Sequence, residues 1–179
     1  MGELTSTVIY GKGANREIRS LQNFAAEIRR DGKPRGRKFS FGRINRVVER
    51  ELKKKNIPLK SKELLMRDDT ILKYEDHPKD IKGAALPRNK YYLLDKLAKK
   101  PTHIYVDTTS DKPIFIYTTR FSKGGIIIKA VIEVNYEANK MTYNSLKSIG
   151  IQDKSKMDRK KVVIKNGKKV KKMVYKKIK

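Results

Sequence analysis

The stretch Ile126-Ile127-Ile128-Lys129-Ala130-Val131-Ile132-Glu133-Val134-Asn135-Tyr136 decides the fold. It is β-branched and almost continuously apolar, which predicts a central strand covered on both faces. Ser122-Lys123-Gly124-Gly125 precedes it and Glu137-Ala138-Asn139-Lys140 follows it, both turn-forming stretches. Beyond these turns lie further β-prone runs. His103-Ile104-Tyr105-Val106 and Ile114 to Thr119 read as two strands separated by a turn at Thr108 to Lys112. Met141 to Ile149 reads as a fourth or as a strand-to-turn segment. These spacings leave no room for crossover helices, so the sheet is expected to be antiparallel.

Toward the N-terminus the pattern changes to helical. Ile18, Leu21, Ala25 and Ile28 mark one face of a helix within Ala14 to Arg30. Asp31-Gly32-Lys33-Pro34-Arg35-Gly36-Arg37-Lys38 breaks it as an exposed basic loop. Ser40 is placed to cap a second helix with Ile44, Val47, Val48 and Leu52 on its face. Leu64-Leu65-Met66 is a short apolar run. Asp68-Asp69-Thr70 then starts a short helix through Ile71, Leu72 and Tyr74, which stops near His77-Pro78. Pro87 opens a helix carrying Tyr91, Leu94 and Leu97, closed by Lys100-Pro101. Helices followed by strands make the fold class α+β. The expected organisation is a helical segment 1–60, an α+β domain 61–153 and a Lys-rich C-terminal hairpin 154–179.

Charge is the dominant compositional feature. Lys+Arg is 45 against Asp+Glu 19, a net charge of +26 on 179 residues. Self-repulsion on this scale favours a polyanionic partner, whose phosphates release counterions when neutralised. RNA is expected ahead of DNA. No run approaches the roughly 20 apolar residues that span a bilayer, and no membrane partner is expected. The N-terminus lacks the pattern of a signal peptide, so a cytoplasmic location is expected. The chain has no Cys and two His, His77 and His103, which excludes disulfides, thiolate catalysis and Cys-ligated zinc. No metal or cofactor is expected. Residues 154–179 hold 13 Lys/Arg and one acid, Asp158, and so carry +12 of the net charge. Val162-Val163-Ile164 and Val170 to Tyr175 flank Lys165-Asn166-Gly167-Lys168, and Asn-Gly between β-formers signals a hairpin. Lys165, Lys168 and Lys169 would meet a phosphate backbone there.

Several short motifs stand in an informative order. Asp69 to Lys79 contains His77-Pro78; Leu86-Pro87 and Lys100-Pro101-Thr102-His103-Ile104 come next. Then follow Ile126 to Asn135 and Tyr143-Asn144-Ser145-Leu146-Lys147-Ser148. Over about residues 64–150 this order resembles the phage-borne nuclease-like domains of the barnase–EndoU–colicin–RelE group. The resemblance implies a metal-independent endoribonuclease, acting as a toxin or an injected effector. It also implies partners such as an immunity protein or phage structural proteins, and packaging in a virion.

Such chemistry has a physical logic. The substrate's own 2′-OH is the nucleophile, so the protein needs an acid, a base and cations for the phosphorane charge. His77 is the candidate acid or base, because its ordinary pKa lies near neutrality. It reads equally well as a cationic cap at a helix end. Lys129 and Lys82 are candidates for stabilising the phosphate, Lys129 with a catalytic role and Lys82 in substrate binding. Lys129 can instead be an outward-pointing edge lysine. The resemblance implies that Ser148, as a catalytic residue, and Asn144 position the scissile group. Both are also ordinary turn residues. Tyr74 and Tyr143 are candidates for base stacking or for a part in proton transfer. No second His or Glu stands next to His77, so a non-catalytic nucleic-acid-binding or virion-associated protein on the same fold is the alternative.

Overall fold

The computed structural model describes residues 6–9, 16–18, 21–75, 86–87 and 90–179. Among these described residues, eleven strands and four α-helices follow in chain order. They are β1 (Ser6–Ile9), β2 (Arg16–Ile18), α1 (Leu21–Asp31), β3 (Lys38–Arg43), α2 (Arg46–Lys54), β4 (Glu63–Arg67), α3 (Asp68–Glu75) and α4 (Tyr92–Lys99). The strand-rich part comprises β5 (His103–Asp107), β6 (Ile114–Arg120), β7 (Ile126–Ala138), β8 (Met141–Asp153), β9 (Lys160–Lys165), β10 (Lys168–Met173) and β11 (Tyr175–Lys177). The fold is α+β, with one nine-stranded sheet in the order β11-β5-β6-β7-β8-β4-β3-β1-β2 and a separate β9–β10 ribbon. Every neighbouring pair is antiparallel except β4 with β8.

The strand predicted as central is central. β7 lies between β6 and β8, and its pleat sorts its side chains. Ile128, Ala130, Ile132 and Val134 enter one core with Phe24 and Ile28 of α1, Val48 and Leu52 of α2, Ile71 of α3, and Leu94 and Leu97 of α4. The opposite face is covered less completely than its apolar sequence predicts. Ile127 joins a smaller cluster with Tyr105, Ile116 and Met157, to which no α-helix contributes; Met157 comes from a 3-10 turn at Lys154–Asp158. Lys129 and Val131 stay half-buried, and Glu133 is held by Lys112 at 3.5 Å and Lys147 at 3.6 Å. The sheet therefore has a helix-covered face and a largely open one.

The first sixty residues are not helical throughout. Residues 16–18 form β2, and α1 begins at Leu21 with Leu21, Phe24, Ala25 and Ile28 buried. Strand pairing with β1 overrides the local three-and-four spacing at Ile18. Ser40 lies in a strand: Phe39 and Phe41 alternate inward in β3, a period-two signal that outweighs its capping potential. The cap of α2 is Asn45, whose side chain accepts from Val47 N at 3.0 Å. The basic loop is tied down at its end. Arg37 is buried, with Asp31 at 2.8 Å and Glu27 and Asp68 at 3.4 Å. The expected boundary at 60/61 is crossed by β3–β4 pairing, and that at 153/154 by β11–β5 pairing, so one sheet runs through all three segments.

Candidate nucleic-acid interface on the open sheet face

Among the described residues β4 and β8 form the one parallel pair, joined at two positions, Leu64↔Asn144 and Leu65↔Ser145. After Arg67 the chain turns into α3, because Asp68 and Asp69 suit a helix start. Asp68 is buried and accepts from the backbone of Arg35 at 2.7 Å and of Arg37 at 3.1 Å. That anchor holds α3 beside the continuing edge of β8. A cleft of about 240 Å³ opens between them, lined by Arg67, Asp69, Thr70, Lys73, Tyr74, Ser145, Lys147 and Ser148.

The β7–β8 register slips between Val131↔Ser148 and Ile132↔Leu146. This bulge puts one extra residue on β8, so Lys147 and Ser148 both reach the open face. Lys147 Nζ sits 3.8 Å over the Tyr136 ring while pairing with Glu133. Arg67 donates to the Tyr136 hydroxyl at 2.9 Å and makes a short contact with Asp69. Lys73 lies 3.8 Å from the same carboxylate. Tyr136 packs edge-on against Tyr143 at 5.5 Å, and Lys38 covers the Tyr143 ring at 5.3 Å. Burial pushes the Tyr143 phenol up, against the opposing pull of the Arg67 charge, so it stays a neutral hydroxyl.

Two buried polar atoms at the cleft have no hydrogen-bond partner among the described residues: Ser145 Oγ and Asp69 Oδ1. Ser145 is 1% exposed. Buried polar groups in folded proteins are nearly always satisfied by protein, water or ligand. The cleft is thus lined by three cations, Arg67, Lys73 and Lys147, by the hydroxyl residues Thr70, Ser145 and Ser148 and by the Asp69 carboxylate.

The structure distributes the sequence-derived candidates unevenly. Ser148 and Tyr74 line the cleft together. Tyr74 is a buried core residue as well, edge-on to Tyr91 at 6.2 Å, with its hydroxyl close to Leu86 N. Burial makes it a wall rather than a stacking platform. Tyr143 sits on the same sheet face but is 2% exposed, so its ring stacks on protein and not on an incoming base. Lys129 shares that face, pairing across to Gly150 one pleat beyond Ser148, and lies 5.3 Å over the Tyr175 ring. Asn144 has a different job from the one expected. It is fully buried, accepts from Asn135 N at 3.1 Å and donates to Ser61 O at 2.6 Å and Glu63 O at 2.9 Å. All its bonding capacity toward a substrate is used on the backbone. Lys165, Lys168 and Lys169 are exposed at the tip of the β9–β10 ribbon, away from the cleft lining. His77 and Lys82 lie outside the described residues.

Arg67, Asp69, Lys73, Lys147 and Tyr136 did not stand out in the sequence. The usable signal was the alternation of β8, where Tyr143, Ser145 and Lys147 share one face. Among the described residues there is no cluster of three or more His or carboxylate groups placed to hold a metal, and no helix long and apolar enough to cross a membrane. No protein-family model, no curated protein and no solved structure matches the chain.

Proposed function

We propose that this protein binds nucleic acid, RNA in the first place, in the α3–β8 cleft on its open sheet face. One observation carries the reading: Arg67, Lys73 and Lys147 converge on a cleft that also holds the unpartnered Ser145 Oγ and Asp69 Oδ1. The cations suit phosphate. The hydroxyl and carboxylate oxygens suit a sugar hydroxyl or a base edge, and the RNA 2′-OH is both donor and acceptor. The net charge of +26 supplies long-range attraction. Fluorescence anisotropy with a short single-stranded RNA tests the reading. Arg67→Gln/Lys147→Gln should weaken binding at least about tenfold and reduce the salt slope by about one per lost phosphate contact. Unchanged affinity in that double variant would end it.

A second reading, metal-independent RNA cleavage, is favoured by the Ser148 hydroxyl and the Asp69 carboxylate lining the same cleft as the three cations. Cleavage by the substrate's own 2′-OH needs such an acid–base and cation set. On this reading His77 is the further acid or base, Lys129 a phosphate-stabilising cation, and the chain a toxin or injected effector of phage or mobile-element origin. The assay is RNA incubation with EDTA and separately with Mg²⁺. Cleavage persisting in EDTA and falling about 10²-fold or more in His77→Ala is the expected outcome. RNA left intact in both buffers, across structured and unstructured substrates, would leave the binding protein alone.

A further inference from the structure

The β9–β10 ribbon is a second, separate charged element, and its register is informative. Lys161 faces Lys172 and Lys165 faces Lys168 across the strands, with Val163 opposite Val170 between them. These six side chains share one face. The other face carries Lys160, Lys169 and Lys171 among Val162, Ile164 and Met173. No acidic residue occurs after Asp158, so nothing within the ribbon offsets these charges. Directly opposed like charges destabilise a ladder, and a lone two-stranded ribbon is marginal even without them. The ribbon packs chiefly on itself. Its base is fastened where Val174 N donates to Arg159 O and the Thr108 hydroxyl donates to Met173 O, both at 2.9 Å or less. Val162 is 56% and Ile164 75% exposed.

From this placement we infer that the ribbon is a duplex-DNA-binding arm that enters the major groove. A two-stranded ribbon fits the B-form major groove, about 12 Å wide, with lysines reaching the phosphates of both walls. The lysines on both faces suit two walls rather than one strand. Between Lys160 and Met173 there is no aromatic residue, so the stacking surface that holds single strands is missing. The major groove of A-form RNA is too deep and narrow to admit the element. The partner anion also removes the repulsion within the opposed lysine pairs, so DNA binding and ribbon stability are linked. The contacts are to backbone, so binding is insensitive to sequence.

The experiment uses the full chain with a duplex DNA of about 30 bp, the matching single strand and the matching RNA duplex, read by anisotropy against NaCl. For the variant Lys161→Gln/Lys165→Gln/Lys168→Gln/Lys172→Gln, the duplex-DNA salt slope should fall by about three to four, at about 0.9 per phosphate contact. Its single-stranded RNA affinity should fall less than its duplex-DNA affinity, through the loss of long-range attraction alone. A duplex-DNA slope unchanged in this variant overturns the inference. So does an equal loss on single strand and duplex, or an RNA duplex bound as tightly as DNA. Sedimentation of the DNA-free protein adds one more arm: a dimer abolished by Val162→Ser/Ile164→Ser would assign the ribbon to self-association and also overturn it. Duplex binding lost in the lysine variant while the Arg67→Gln/Lys147→Gln protein retains it supports the inference whatever becomes of the cleft. RNA bound without any duplex-DNA binding sinks this inference and spares the cleft.

Discussion

Asn144 shows how far a residue's role depends on depth. Its motif suggested substrate positioning, yet its amide joins the β7 irregularity to the 58–63 loop. Asn135 shares the work: it adopts φ 53° and donates from its side chain to Pro58 O at 2.7 Å, a left-handed conformation that Asn tolerates well. Asn144→Ala leaves three backbone groups unpaired and should cost about 2–4 kcal/mol in urea unfolding. It should leave RNA affinity per folded molecule unchanged; a loss of affinity at full folding would restore the substrate role. His103 supplies a pH prediction. Partial burial lowers its pKa below the ordinary value of 6.5, and the Lys177 and Lys154 charges lower it further. A depressed folded value means that the unfolded chain takes up the proton first. The imidazole therefore does not penalise folding above pH 6.5, and stability is lost as pH falls below that point toward the folded value. The melting temperature should drop between pH 7 and pH 5, and His103→Gln should make the drop smaller. An identical pH profile in the variant would exclude this source.

At the scale of elements, Gly42 decides how α4 meets the sheet. A Cβ at this position would lie 2.7 Å from Ala98 Cβ, so β3 and α4 touch only because neither residue is larger. The β3–β4 register also shifts between Ser40 and Gly42. Gly42→Ala should destabilise by about 1–3 kcal/mol through overpacking, and adding Ala98→Gly should recover part of it. Additive losses in the double variant would show that the contact is not the cause. Alternation and turn chemistry made β5 to β8 legible in the sequence, because each strand carries its own period. β3 was missed because the Gly and Pro of residues 31–38 suggested a loop and Ser40 then reads as a helix cap, which hides the alternation of Phe39 and Phe41. β11 was hidden in a run of lysines; its place beside β5 follows from long-range pairing that no local pattern records.

For the whole molecule, the charge sets the solution behaviour. Screening should relieve self-repulsion, so raising NaCl from about 0.05 to about 0.5 M should raise the melting temperature by several degrees. A flat salt response would mean that self-repulsion among the charges contributes little to stability. Removing residues 175–179 should lower the urea midpoint, because β11 pairs with β5, Ile178 packs on the main core and Lys179 donates to Pro101 O at 2.7 Å. An unchanged midpoint would make the C-terminus an ornament of the fold. By itself the sequence determined the α+β class, the central strand, the Asn166-Gly167 turn and the net charge of +26, since each rests on local period, turn chemistry or composition. Only the tertiary structure decided which residues meet. The two-rung β4–β8 pairing and the bulge before Ser148 open the cleft and gather Arg67, Lys73, Ser145 and Lys147 from separate segments. The physical reason is that a register slip of one residue changes which face a side chain occupies, and register between distant strands is set by packing that the local sequence does not encode.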